Sequence, residues 1–104
     1  MKIQNQNGTL NVELDPTLDA FNENEVKKQI TSVLDSDCDI KRIILDAAHL
    51  EYISSAGLRV ILFLKVNYKQ PVSFINVAKE VYDVLDITGF TKIIGIPRND
   101  ELQS

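Results

Sequence analysis

Hydrophobic positions near the start of the chain alternate with polar ones, as they do in a strand with one buried face. Asn7 and Gly8 both tolerate positive φ and therefore suit the tight turn of a β-hairpin. After this turn, the segment TLNVEL places Leu10, Val12 and Leu14 on one side. The pattern predicts two strands joined by a hairpin.

The period changes after Asn22, where apolar residues recur at helical spacing. Asn22 and Glu25 have the N-x-x-E spacing of a capping pair, which predicts the start of a first helix. The apolar stripe of this helix consists of Val26, Ile30, Val33 and Leu34. The next segment, RIILD, is a short continuous apolar run, which predicts a strand that is buried on both faces.

The second half of the chain repeats this alternation of strand and helix. A strand-to-helix corner at Ser54-Ser55 precedes a helix that extends to about Tyr68, and PVSFIN predicts another strand. A third helix is capped by Asn76 and ends at Gly89, after which TKIIGI predicts a last short strand. The order β-β-α-β-α-β-α-β indicates a small single-domain α/β fold.

Length and composition limit the organisation and the partners. The chain of 104 residues suffices for one domain, which we assign to residues 1–96, and the polar residues 97–104 form a tail. The formal net charge of −4 disfavours direct nucleic-acid binding. The longest aliphatic and aromatic run, residues 60–64, is far shorter than the roughly 20 residues that cross a bilayer, so we expect no membrane insertion. A single cysteine and an N-terminus without a signal-peptide core indicate the cytoplasm.

The helix after the serine corner is apolar on two sides. Its core-facing stripe consists of Gly57, Val60, Ile61, Leu64 and Tyr68. The opposite side, which should be polar, mixes cations with the apolar residues Leu58, Leu62, Phe63 and Val66. An apolar patch ringed by cations suits an acidic protein partner. Cover by a neighbouring helix, such as that from Ala78 to Thr88, is an equally open interpretation.

Two roles are open for the serines at the corner. A hydroxyl oxygen of Ser54 or Ser55 would cap the helix by accepting a hydrogen bond from one of its free N–H groups. Alternatively, one hydroxyl is phosphorylated, which adds about −1.5 to −2 charges at the edge of the docking patch. We predict no catalytic residue, cofactor or metal, because Ser55 lacks G-x-S-x-G flanks and the only histidine and the only cysteine are too sparse for a metal site.

Four segments of the chain resemble STAS domains, especially those of the bacterial anti-sigma-factor antagonists. They are NGTLNVEL, LDAFNENEVKKQI, RIILDAAHLEYISSAGLRVILFLK and VSFINVAKEVYDVLDITGFTKII. The resemblance covers about residues 3–96, and its most specific part is the string D-x-x-x-L-x-Y-I-S-S-A-G-L-R-V that begins at Asp46. It implies a mixed β-sheet of about four to five strands with three or more helices.

The resemblance also implies a mechanism. Antagonists of this family bind a GHKL-type ATP-binding anti-sigma factor that is also a serine kinase. Phosphorylation of the antagonist weakens that complex, and a metal-dependent serine phosphatase restores it. The phosphorylated serine of the family corresponds to Ser55. The predicted partner-binding residues are Asp19, Ser54, Ser55, Ala56, Gly57, Leu58, Arg59, Leu62 and Phe63.

One residue departs from the pattern of that family. Ser54 stands where well-studied antagonists carry Asp, immediately before the phosphorylated serine. The departure favours a second hypothesis, in which the chain is a STAS subunit of a transport complex or another regulatory complex without phosphorylation. A third hypothesis is a module that binds a small ligand, such as a nucleotide or a fatty acid, at the N-terminus of the Ser55 helix.

Overall fold

Strands and helices alternate along the chain, and a computed structural model describes them for residues 1–96. The predicted tail, residues 97–104, lies outside the described residues. The strands are β1 (Lys2–Gln6), β2 (Thr9–Glu13), β3 (Thr17–Leu18), β4 (Arg42–Asp46), β5 (Tyr52–Ile53) and β6 (Val72–Ile75). The helices are α1 (Glu23–Ser36), α2 (Ser55–Asn67) and α3 (Lys79–Ile87), followed by a 3-10 helix at Phe90–Lys92.

The main sheet has four strands in the order β1-β2-β4-β6. Strands β1 and β2 are antiparallel, whereas β2–β4 and β4–β6 are parallel pairs. The hairpin turn between β1 and β2 has positive φ at both Asn7 (55°) and Gly8 (88°), which confirms the predicted turn. The mixed sheet and its helices confirm the expected α/β architecture.

Within residues 1–96, helices cover one face of the main sheet and leave the other face without a helix. Alternate residues on that face are buried and join the helices in a single core: Leu10, Val12, Ile43, Leu45, Val72 and Phe74. Ile44, on the opposite face of β4, is only half-buried, so the prediction that this strand is buried on both faces is wrong. Both crossovers step in the same direction across the sheet, and right-handed crossovers of that kind place α1 and α2 on the same face.

The first helix does not begin with the predicted capping pair. Asn22 occupies the N-cap position, but its side chain turns back: Oδ1 accepts from the Asp19 N–H at 2.9 Å, and Nδ2 donates to the Thr17 carbonyl at 2.7 Å. Glu25 instead accepts a hydrogen bond from Gln29 one turn later. The asparagine therefore closes the loop before the helix and does not satisfy the helix N–H groups.

Asn76 is likewise not the cap of α3, which begins only at Lys79. Its backbone is left-handed, with φ of 59°, and its side-chain Nδ2 donates to Asp46 Oδ1 at 3.1 Å. The same Asp46 oxygen accepts from the Ala48 N–H at 3.0 Å. Asn76 thus ties the end of β6 to the end of β4, a long-range role that local spacing does not show.

The predicted last strand, TKIIGI, is also wrong. Gly89, with φ of 86°, ends α3 as predicted, but the chain then enters the 3-10 helix. Carbonyls of Gly89 and Phe90 accept hydrogen bonds from residues 92–94, which uses up the N–H groups that a strand would offer. Within the segment TKIIGI, only Gly95 pairs with β6, through a single β-bridge to Ser73.

Helices α1 and α2 are joined at their C-terminal ends by Tyr68. Its hydroxyl donates to Asp35 Oδ1 at 2.7 Å. Partial burial and, to a lesser degree, the hydrogen bond to Asp35 raise the pKa of Tyr68 from 10.0 to about 12. The phenol therefore remains a neutral donor well above physiological pH, and it fixes the spacing of the two helices at that end.

Candidate docking and phosphorylation site

Two very short strands bring the candidate site together. Strands β3 and β5 form a separate parallel pair, with Thr17 opposite Tyr52 and Leu18 opposite Ile53. The pairing continues into α2, because the Ser54 N–H donates to the Leu18 carbonyl at 3.0 Å. The loop that begins at Asp19 therefore lies against the N-terminus of α2. Strands of two residues have no measurable period, so the apolar pattern did not reveal them.

Gly57 allows this close approach. A Cβ at this position would lie 2.4 Å from the Leu18 carbonyl oxygen and 2.9 Å from Ile53 Cγ1. Neither distance leaves room for a methyl group, so the first turn of α2 fits against β3 and β5 only with glycine. A steric requirement therefore explains why the S-S-A-G-L-R string has glycine at position 57.

The structure places the two serines of the corner in different surroundings. Ser54 is the N-cap of α2: its backbone is extended and its Oγ accepts from the Gly57 N–H at 3.4 Å. Ser55 is the first residue of the helix and is exposed. Its hydroxyl has no hydrogen-bond partner among residues 1–96. One serine is thus used by the fold, and the other is available to an enzyme.

The loop beside Ser55, residues 19–22, is held by its own hydrogen bonds. Asp19 Oδ1 accepts from the Phe21 N–H at 2.9 Å, and the Asp19 carbonyl accepts from the N–H groups of Asn22 and Glu23 at 3.3 and 2.9 Å. These bonds display the side chain of Phe21, which is 99% exposed. Phe21 is not among the site residues predicted from the sequence, because its exposure depends on these hydrogen bonds of the folded loop.

The outer side of α2 is less apolar than predicted. The predicted core stripe is buried through Leu64, and the half-buried Tyr68 lies beyond the helix end. Leu58 and Phe63 are half-buried against the core, whereas Leu62 is 43% and Val66 is 71% exposed. The covering helix is α1 rather than α3. The exposed apolar surface of α2 is therefore limited to Leu62, Val66 and the edges of their neighbours.

A groove separates α1 from α2, and charged side chains cross its rim. Lys27 Nζ lies 4.0 Å from the ring centroid of Phe63, and Arg59 Nη2 lies 3.9 Å from Glu23 Oε2. We define the α1–α2 groove by the side chains that line it: Glu23, Lys27, Arg59, Leu62, Phe63 and Val66. Both cations therefore have partners within the chain, and the contact of Arg59 with Glu23 is the looser one because it is long and exposed.

The candidate residues divide by accessibility. Ser55, Arg59 and Leu62 are exposed, and Asp19 and Ser54 are half-buried at the same end of the molecule. Ala56 and Gly57 face the core, so they act on any partner only through the position of α2. The remaining two candidates are the half-buried Leu58 and Phe63. Among residues 1–96, no helix is long and apolar enough to cross a membrane.

Comparison with known proteins agrees with this arrangement. The family model of the STAS domain matches residues 1–103. The chain belongs to the STAS domain family. The expected family is thereby confirmed, and the STAS domain is a regulatory protein-interaction fold.

The individual matches are one curated relative by sequence and two proteins of similar structure. BtrV of Bordetella bronchiseptica, a candidate anti-sigma factor antagonist, is 34% identical over 64 residues, which cover 59% of this chain and 55% of that protein. The unphosphorylated anti-sigma factor antagonist SpoIIAA has a similar structure, with a TM-score of 0.73 and 14% identity over 98% of this chain and 91% of that one. The murine anion transporter Slc26a9 matches with a TM-score of 0.71 and 18% identity over 86% of this chain and 15% of its own. At such low identity the two structural matches show the fold alone.

Replacing Gly57 should destabilise the domain. In Gly57→Ala the new methyl group overlaps the Leu18 carbonyl, so α2 has to shift, and we expect a loss of about 2–3 kcal/mol in the free energy of unfolding, measured by urea denaturation. Gly95→Ala is the matched control, because among residues 1–96 its methyl group would meet only Ser73 Cβ, at 3.3 Å. Equal unfolding free energies for the two variants would contradict the steric role of Gly57.

Proposed function

We propose that this chain is an anti-sigma factor antagonist. It binds a GHKL-type anti-sigma factor that is also a serine kinase, and reversible phosphorylation of Ser55 controls this binding and hence sigma-factor-dependent transcription. The observation that carries the proposal is the exposed Ser55 hydroxyl at the first position of α2, directly after a serine that is already used as a cap. The similarity of the chain to BtrV and SpoIIAA, both described as anti-sigma factor antagonists, supports the proposal.

The domain acts by binding and performs no catalysis. ATP and the catalytic groups belong to the kinase, and a separate metal-dependent serine phosphatase removes the phosphate. All these partners meet in the cytoplasm. The docking surface consists of the loop from Asp19 to Asn22, the first turn of α2 and the exposed part of the α1–α2 groove. Phe21 and Leu62 supply exposed apolar area on this surface for contact with a partner.

Phosphorylation weakens such a complex for an electrostatic reason. A phosphoserine carries about −1.5 to −2 charges, and a partner surface that covers it has to remove water from those charges. The cost of removing water from such a charge, several kcal/mol as an order of magnitude, exceeds the 1.4 kcal/mol or so that separates tenfold steps in affinity. A single modification at Ser55 is therefore sufficient for a switch.

Ser54 preserves the structural part of the family pattern. Aspartate and serine are both strong N-cap residues, because each offers a side-chain oxygen to the free N–H groups of the first turn. Ser54 performs this function here, with the Gly57 N–H as its donor. The exchange of Asp for Ser removes a negative charge beside Ser55 but leaves the start of α2 intact.

A transport-associated role is the second candidate. It is favoured by the fold of the chain, which is similar to part of the anion transporter Slc26a9. In that role the same surface would contact other subunits of the complex, and Ser55 would remain unmodified. The partner recovered with the chain from its native cells separates the two functions, since a GHKL-type kinase supports the first and a transporter subunit supports the second.

Charge at Ser55 should decide partner affinity. Against the GHKL-type kinase encoded nearest to this gene, Ser55→Asp should bind about tenfold or more weakly than the unmodified chain, because the partner has to remove water from the new carboxylate. Ser55→Ala should bind as well as the unmodified chain and should no longer respond to ATP. Titration calorimetry measures both affinities. Equal affinities for the two variants would refute the switch.

Phe21 should anchor the partner. Phe21→Ala removes a ring that is 99% exposed, so the stability of the free domain should not change, whereas the affinity should fall by about tenfold or more. Leu62→Asp should likewise lower the affinity without changing the stability of the free domain. Ile87→Ala is the matched control, because this apolar side chain on α3 is 85% exposed and lies outside the proposed surface. An unchanged affinity for Phe21→Ala would remove Phe21 from the docking surface.

A further inference from the structure

Ser55 and Arg59 lie on the same side of α2. They are four residues apart in the helix, a separation that places side chains next to each other on its surface. Lys65, the other cation of this helix, is about 15 Å further along its axis than Ser55. A negative charge added at Ser55 would therefore meet Arg59 first.

Arg59 already has a partner, and the contact is weak. Its Nη2 atom lies 3.9 Å from Glu23 Oε2, at the outer limit of an ion pair. The Arg59 side chain is 69% exposed and that of Glu23 is 24% exposed, so solvent screens the attraction. A guanidinium held this loosely can change partners at little cost.

We infer that Arg59 is the binding residue for a phosphate on Ser55 and that it leaves Glu23 when this phosphate is added. The inference rests on the proposed phosphorylation of Ser55. In that reaction Ser55 Oγ forms a bond to the γ-phosphorus of ATP, the bond from this phosphorus to the β–γ bridging oxygen breaks, and ADP and the hydroxyl proton leave. The product is a dianion one helical turn from a planar guanidinium, which can donate two parallel hydrogen bonds to it.

The movement of Arg59 from Glu23 to the phosphate extends the effect of phosphorylation beyond Ser55. Glu23 lines the α1–α2 groove, and its N–H donates to the Asp19 carbonyl in the loop that displays Phe21. When Arg59 turns to the phosphate, the Glu23 carboxylate loses its cation at the rim of the groove. A partner that had used the positive charge of Arg59 then meets negative charge both at Ser55 and at the groove.

The test is a titration of the phosphate itself. Phosphoserine is placed at position 55 during translation, and the 31P chemical shift is followed against pH in the isolated protein. An adjacent cation favours the dianion and lowers the pKa of its second ionisation. We expect Arg59→Gln to raise this pKa by about half a pH unit, and we expect Glu23→Gln to lower it because the competing carboxylate is gone.

Two control variants make the result specific. Arg59→Lys keeps the charge and should keep most of the effect, and Lys65→Gln removes a cation of α2 that is too distant to contribute. Identical phosphate titrations in the Arg59→Gln and Lys65→Gln proteins would overturn the inference. Neither a kinase nor a docking partner takes part in this measurement. Failure of a kinase to modify Ser55 would count against the proposed function and would leave the titration result unaltered.

Discussion

The contact of Gly57 with Leu18 and Ile53 determines the geometry of the whole site. The first turn of α2 approaches β3 and β5 so closely that a Cβ on Gly57 would lie 2.4 Å from the Leu18 carbonyl oxygen. This contact and the hydrogen bond from Ser54 to Leu18 fix the rotation of the helix about its axis. Ser54 is thereby directed to its capping position, and Ser55, the next residue, is left exposed.

The same contact explains why residues distant in sequence share one surface. Leu18 ends β3, so the loop that contains Phe21 starts where α2 starts. Glu23 follows at the beginning of α1 and reaches Arg59 on α2. A hydrogen-bonded loop, an exposed hydroxyl and a loosely paired arginine thus lie together on the surface that we propose as the docking site.

Features that depend on one residue or its near neighbours could be predicted from the sequence, whereas hydrogen bonds between residues that the fold brings together could not. The hairpin at Asn7-Gly8 and the end of α3 at Gly89 depend on the φ preferences of single residues, and both were predicted. Asn22 and Asn76 were misassigned as caps because their partners, Thr17, Asp19 and Asp46, are brought near by the fold. The site residues on α2 follow from the resemblance to antagonists, whereas Phe21 could be recognised only from its exposure in three dimensions.

We propose that the two adjacent serines have different tasks, one structural and one regulatory. Incubation of the chain with its GHKL-type kinase and ATP, followed by mass spectrometry of the peptide that spans residues 54 and 55, distinguishes these tasks. We expect phosphate on Ser55 and none on Ser54, whose oxygen is engaged as the helix cap. Phosphate on Ser54, or an unmodified peptide in a reaction where the kinase is active, would contradict this proposal.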